Sequence, residues 1–156
     1  MNTYPSAAET AALREKYVIP LPGPMYAKPV QIVKGQGQHV WDETGRKYLD
    51  GFAGVATVSI GHSHPHWLSK IKAQMDEYYH TPALYLHPSL GMFAQRLAKK
   101  LQAANPELEA CFFTNSGSEA NDLAALIAKN CTGSHEFVAL RHAYHGRTLM
   151  TMALTG

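Results

Sequence analysis

Thr114-Asn115-Ser116-Gly117-Ser118-Glu119-Ala120-Asn121-Asp122 is the stretch on which the reading of this chain turns. Before it, Ala110-Cys111-Phe112-Phe113 is a short unbroken apolar run, the pattern of a strand covered on both faces. After it, Ala120, Leu123, Ala124, Ile127, Ala128 and Cys131 recur at helical spacing. The join is a strand-to-helix loop of small residues, with free backbone N–H groups at the positive end of a helix. A phosphate suits that place, although a well-capped helix after a strand uses the same residues. Ser116 and Glu119 have the spacing of a capping box, and a carboxylate beside a phosphate is repelled, so Glu119 is assigned to the cap. Two other phosphate loops are set aside. No G-x-x-x-x-G-K-[ST] occurs, and Gly35-Gln36-Gly37 lies between strand-like runs rather than before a helix.

A second apolar run, Phe137-Val138-Ala139-Leu140, follows the helix, so strand, helix and strand read as a βαβ unit with parallel neighbouring strands. The loop after it, Arg141-His142-Ala143-Tyr144-His145-Gly146-Arg147-Thr148, leaves the same carboxyl edge, where ligands of such sheets bind. An aromatic ring, an imidazole and a guanidinium beside an anion site suit a flat aromatic cofactor and an anionic substrate. Ring stacking and a bidentate arginine–carboxylate pair are the physical reasons. The alternative is that Tyr144 and His145 merely fill the loop. A last helix is expected over 147–155.

Upstream, residues 7–17 read as a short amphipathic helix, and Pro20-Leu21-Pro22-Gly23-Pro24 cannot continue it. Strand-like runs at 30–34, 39–42 and 47–50, separated by Gly35-Gln36-Gly37 and Glu43-Thr44-Gly45, predict an antiparallel meander. The following small, apolar segment GFAGVATVSIGHSHP is expected to pack closely against backbone or ligand. A helix after Pro65 carries Trp67, Leu68, Ile71, Met75 and Tyr78 on one face, and one from Pro88 carries Leu90, Phe93, Ala94, Leu97 and Leu101. Both stripes read as core.

The chain has 156 residues, 46% hydrophobic and 17% charged, the balance of a globular protein rather than a disordered one. Its net charge is +2 with scattered basic residues, which gives nucleic-acid binding no support. No apolar run approaches a membrane span, and neither a secretory nor a transit-peptide pattern opens the chain, so a cytoplasmic location is expected. Cys111 and Cys131 read as small buried hydrophobes. His62-Ser63-His64-Pro65-His66 offers a metal-site reading, but Pro65 starts a helix and no acidic or thiol ligand is adjacent, so no metal is expected.

Taken together, KGQGQHVWDETGRKYLD, F-x-G-V-A-x-x-x-x-GHSHP, TNSGSEAND and RHAYHGRT…LTG resemble, in order, the class III aminotransferases, pyridoxal-phosphate enzymes of fold type I. The likeness runs through about residues 10–156 and corresponds to about the first third of a full-length member. It is nearest to the alanine–glyoxylate and 4-aminobutyrate branches. Arg147 after Tyr144-His145-Gly146 departs from animal members of the former and is shared with the 4-aminobutyrate and acetylornithine branches.

The resemblance implies an incomplete α/β fold. Residues 1–60 would carry the N-terminal helix and meander of a small domain, and 61–156 the start of a parallel-sheet cofactor domain. It implies pyridoxal 5′-phosphate as cofactor, held by Ser116, Gly117, Ser118, Tyr144, His145 and Gly146. Arg147 would grip the substrate carboxylate and Val55 would line the substrate pocket. The segment 81–87 would lie near the active site at a homodimer interface. The implied reaction moves an amino group from an amino acid to a 2-oxo acid such as glyoxylate, pyruvate or 2-oxoglutarate. The Schiff-base lysine and the aspartate facing the pyridine nitrogen would lie beyond the second loop, so no catalytic residue is assigned here and the 156-residue chain alone is expected to be inactive. Alternatives are an inactive truncated remnant or pseudoenzyme, and a mutase or epimerase using the same cofactor.

Overall fold

Alternation of polar and apolar side chains folds the first third of the chain into an antiparallel meander. In the computed structural model, which describes residues 4–19, 26 and 28–156, its strands are β1 (Ile32–Gln36), β2 (His39–Asp42) and β3 (Lys47–Leu49), in the order β1-β2-β3. The meander is therefore as expected, with shifted bounds: β1 starts at Ile32 and takes in Gly35 and Gln36, the chain turns at Gly37 and Gln38 instead, and β3 stops at Leu49. The β2–β3 turn is built on Asp42. Its carboxylate accepts from the N–H of Thr44 and Arg46 (both 3.0 Å) and from the hydroxyls of Thr44 and Tyr48 (both 2.6 Å).

Ahead of the meander lies α1 (Ala7–Tyr17). Ser6 and Glu9 close a capping box there, Ser6 N–H donating to Glu9 Oε2 at 2.8 Å and Glu9 N–H to Ser6 Oγ at 3.3 Å. None of its described side chains is buried, so it is not the one-sided helix that was expected. The proline-rich stretch 20–24 lies outside the described residues. Beyond the meander come α2 (Ala53–Ala56) and α3 (Pro65–Glu77), the latter with Pro65 at its first turn. These elements make up one compact unit, Met1–Pro82.

The other unit, Ala83–Gly156, holds α4 (Pro88–Leu101), α5 (Gly117–Thr132) and α6 (Leu149–Leu154). The expected last helix is shorter than 147–155, because Thr148 caps it rather than joining it. The two apolar runs flanking α5 are not paired as parallel strands; the described residues carry one sheet, the meander. A parallel pair persists when other strands and helices cover it, and here Phe112 and Val138 are 77% and 101% exposed.

The same reason corrects the core assignments. On α3, Trp67, Ile71, Met75 and the following Tyr78 are exposed, and on α4 so are Leu90, Phe93 and Leu101, with Ala98 alone buried. Cys131 is exposed and Cys111 half-buried, so neither is the buried residue expected. The chain exposes 13759 Å², whereas a self-contained protein of 17.1 kDa exposes about 7,800 Å², and two separate bodies of half that mass about 9,300 Å². Helical faces with core composition thus lie open.

Candidate functional site

At the start of α5, Ser116 is the N-cap, with extended backbone (φ −150°, ψ 160°), and its hydroxyl accepts from Glu119 N–H at 3.2 Å. The Glu119 carboxylate does not complete a capping box. It reaches one residue further back and accepts from Asn115 N–H at 2.7 Å, which locks the entry to the helix and keeps this negative charge on the cap. Among the described residues, no protein acceptor meets the N–H groups of Gly117 and Ser118. Nothing lies within 4 Å of where a Cβ on Gly117 would stand. Two donors at a helix N-terminus without a protein acceptor, beside a side-chain position that stands open, form a cradle for an anion.

The second loop is clasped to this turn. Asn121 Nδ2 donates to His145 O at 2.7 Å, Arg147 N–H donates to Ser118 Oγ at 3.0 Å, and the Thr148 hydroxyl donates to Asp122 Oδ1 at 2.7 Å. Positions 118, 121 and 122 share one helical face, which is why one stripe of α5 meets the whole loop. Gly146 is buried with φ +135°, and a Cβ there would lie 2.7 Å from Ser118 Cβ and 2.8 Å from its Cα. Only glycine allows both this backbone and this approach. The Tyr144 ring and Arg147 remain exposed, and His145 is half-buried, its N–H donating to Thr155 Oγ1 at 3.3 Å. The structure therefore brings together Ser116, Gly117, Ser118, Tyr144, His145, Gly146 and Arg147. Asn121 and Asp122 were not assigned to the site from sequence, although their i+3 and i+4 spacing from Ser118 was the available signal.

Val55 belongs to the other unit and lies in α2, where Ala53, Gly54, Val55 and Ala56 all have φ between +48° and +64°. This is one turn of left-handed helix, a conformation that a β-branched residue rarely adopts. Asp50 anchors its entry. Oδ1 accepts from Phe52 N–H (3.0 Å) and Ala53 N–H (2.9 Å), while Oδ2 lies 2.7 Å from His62 Nε2. These bonds, that to His62 foremost, hold the Asp50 carboxyl below the usual carboxylate range. His62 also exchanges both backbone hydrogen bonds with Gly37 (2.8 Å each), and its ring covers Gly35, where a Cβ would come within 2.7 Å. The small segment does pack closely against backbone. A cavity of ≈ 340 Å³ opens there, lined by Gly37, Asp50, Ala53, Val58, Gly61 and His62 among others. Among the described residues no three His, Cys, Asp or Glu side chains converge as a metal site.

An anion cradle with an exposed aromatic ring and guanidinium on the loop clasped beside it suits a phosphorylated ligand carrying a flat ring. The chain belongs to the class III aminotransferases: residues 23–156 match the model of that family, Aminotransferase class-III. It is 42% identical over 154 residues to alanine–glyoxylate aminotransferase 2 homolog 2, a mitochondrial protein of Arabidopsis thaliana, covering 99% of this chain and 32% of the relative. Among solved structures it is similar to a phospholyase from Arthrobacter in complex with phosphoethanolamine (TM-score 0.83, 32% identity, 94% of this chain and 33% of that one). It is also similar to taurine:2-oxoglutarate aminotransferase from Bifidobacterium kashiwanohense in complex with pyridoxal phosphate and glutamate (TM-score 0.76, 27% identity, 96% of this chain and 33% of that one). The N-terminal helix, meander and later helices are thus an incomplete α/β architecture of fold type I. The chain spans about a third of the length of these relatives. No helix among the described residues is long and apolar enough to cross a membrane.

Proposed function

We propose that the polypeptide carrying this sequence is a pyridoxal-phosphate-dependent transaminase, moving an amino group from an amino acid to a 2-oxo acid of the glyoxylate, pyruvate or 2-oxoglutarate class. The observation that carries this reading is the pair of open N–H groups at Gly117 and Ser118, bonded through Ser118 and Asn121 to the loop that bears Tyr144 and Arg147. The residues fit the cofactor. Gly117 and Ser118 offer N–H donors to a phosphate, and the hydroxyls of Ser116 and Ser118, each already accepting one bond, keep a proton to donate. Tyr144 supplies a face for a pyridine ring, and His145 and Gly146 form the wall behind it.

When bound, pyridoxal phosphate supplies an electron sink that makes loss of the substrate α-proton feasible. Arg147 holds the substrate carboxylate and so fixes which bond at the α-carbon faces the ring. The lysine that anchors the cofactor and the aspartate that faces its ring nitrogen are assigned to the part of the relatives' length beyond residue 156, so this chain contributes binding and orientation. Residues 1–60 then belong to a small domain and 61–156 to the cofactor domain of a homodimer.

The likeness to the Arthrobacter phospholyase supports a second reading, a lyase acting on a phosphorylated amine. One experiment separates them. The complete polypeptide, loaded with pyridoxal phosphate, is given L-alanine with glyoxylate, and separately phosphoethanolamine. Equal amounts of pyruvate and glycine support the transaminase, release of inorganic phosphate supports the lyase, and neither product, with none from L-glutamate and pyruvate or from L-alanine and 2-oxoglutarate either, would favour an inactive remnant.

A further inference from the structure

We infer that Asn121, Asp122 and Thr148 are positioning residues, which join the loop carrying Tyr144 to the turn carrying Gly117 and Ser118 so that ring and phosphate of one ligand are held together. This rests on the pyridoxal-phosphate reading above. The three inter-element bonds bracket the loop. Asn121 takes the carbonyl of His145, Ser118 the N–H of Arg147, and Asp122 the hydroxyl of Thr148. From the other side the loop is tied by two longer bonds, His145 N–H to Thr155 Oγ1 and Gly156 N–H to Ala143 O (3.3 Å each), while Val138 and Leu140 before it are exposed.

The chemistry of each partner is specific. Asn121 must present its NH₂ to a carbonyl, and an aspartate there would set two acceptors against each other. Asp122 spends its charge on the Thr148 hydroxyl, which donates to Oδ1 at 2.7 Å. With its proton on Asp122, Thr148 Oγ1 has lone pairs left for Thr151 N–H (3.4 Å), the capping contact that starts α6. Thr151 is fully buried beneath it. A single carboxylate thus sets both the loop and the helix that follows.

The test compares Thr148→Val and Asp122→Ala, which delete the bond, with Thr148→Ser and Asp122→Asn, which keep a hydroxyl and an acceptor oxygen, all in the complete polypeptide. Loss of a charge-assisted hydrogen bond predicts pyridoxal phosphate bound about 10- to 100-fold more weakly by the deleting variants. Their bound cofactor should also show a diminished visible circular dichroism, while inorganic phosphate, followed by phosphorus NMR, binds within about twofold of wild type, since it needs only the turn at Gly117 and Ser118. The conservative variants should restore both cofactor signals. Unchanged cofactor affinity and dichroism in the deleting variants would overturn the inference, as would a parallel loss of inorganic phosphate binding. A wild type that binds no pyridoxal phosphate would instead overturn the cofactor reading and the positioning role with it. Hydrogen exchange without ligand then still decides the clasp: faster exchange at 145–148 in the deleting variants supports it, and equal rates refute it.

Discussion

Val55 illustrates what a single residue can hold. Left-handed backbone costs about 1–2 kcal/mol at a residue with a side chain, and Val55, at φ 57° and ψ 57° and 76% exposed, recovers little by burial. Val55→Gly relieves that crowding but adds about 0.5–1 kcal/mol of unfolded-state freedom. The net expectation for the complete polypeptide is a gain of up to about 1.5 kcal/mol and a higher melting temperature. Calorimetry of the two proteins checks this, and a lower midpoint for the glycine variant would contradict it. At Arg147 the expectation concerns function. Arg147→Ala should raise KM for carboxylate-bearing substrates by about 10- to 100-fold, the worth of a bidentate charged bond. Amines lacking a carboxylate should be hardly affected. Asp42 carries a pH dependence. The Thr44 hydroxyl, then the Tyr48 hydroxyl, hold its carboxyl at about 2 against an ordinary 3.8. A depressed value means that the folded state favours the charged form, so the contribution is complete above about pH 4 and disappears as pH falls toward 2. Urea titrations over that window should show wild type losing stability that Asp42→Asn never had.

At the scale of elements, the local rules held where the partners are local. Pro65 and Pro88 open α3 and α4, Ser116 caps α5, and Asp42 ties the turn that joins β2 to β3. The failures share a cause. The apolar runs beside α5 have strand composition, but a ladder needs a neighbour, and periodicity cannot say whether one is present. The Glu119 carboxylate chose Asn115 over Ser116, a difference of one residue that spacing alone does not resolve. The contact between α5 and the second loop also depends on Gly146. Gly146→Ala would push a methyl into Ser118 at a backbone angle that favours glycine. The expected outcome is rapid hydrogen exchange over 143–148 and loss of cofactor binding, with the meander in the other unit unaffected. An alanine variant with native exchange and affinity would show that the loop does not lie on Ser118.

For the whole molecule, the excess of exposed surface is the dominant fact. Trp67, Ile71 and Met75 on α3 and Leu90 and Phe93 on α4 have the spacing of core faces and yet stand open. Open apolar faces of this extent are covered by other protein or they associate. The 156-residue chain produced alone is therefore expected to form concentration-dependent oligomers or aggregates, measurable by sedimentation velocity. A monomer with a sharp cooperative melt would refute this. The sequence by itself determined the helices α1 and α3 to α6, the antiparallel meander and the cap at Ser116, because caps, turns and amphipathic periods act over two to four positions, and its motifs in order carried the likeness to the family. Only the tertiary structure decided that Asn121 and Asp122 clasp the second loop, that Val55 sits in a left-handed turn, and that the expected core faces are bare. The clasping bonds join residues 24 to 29 positions apart, and no local preference reports which distant partner a side chain will meet.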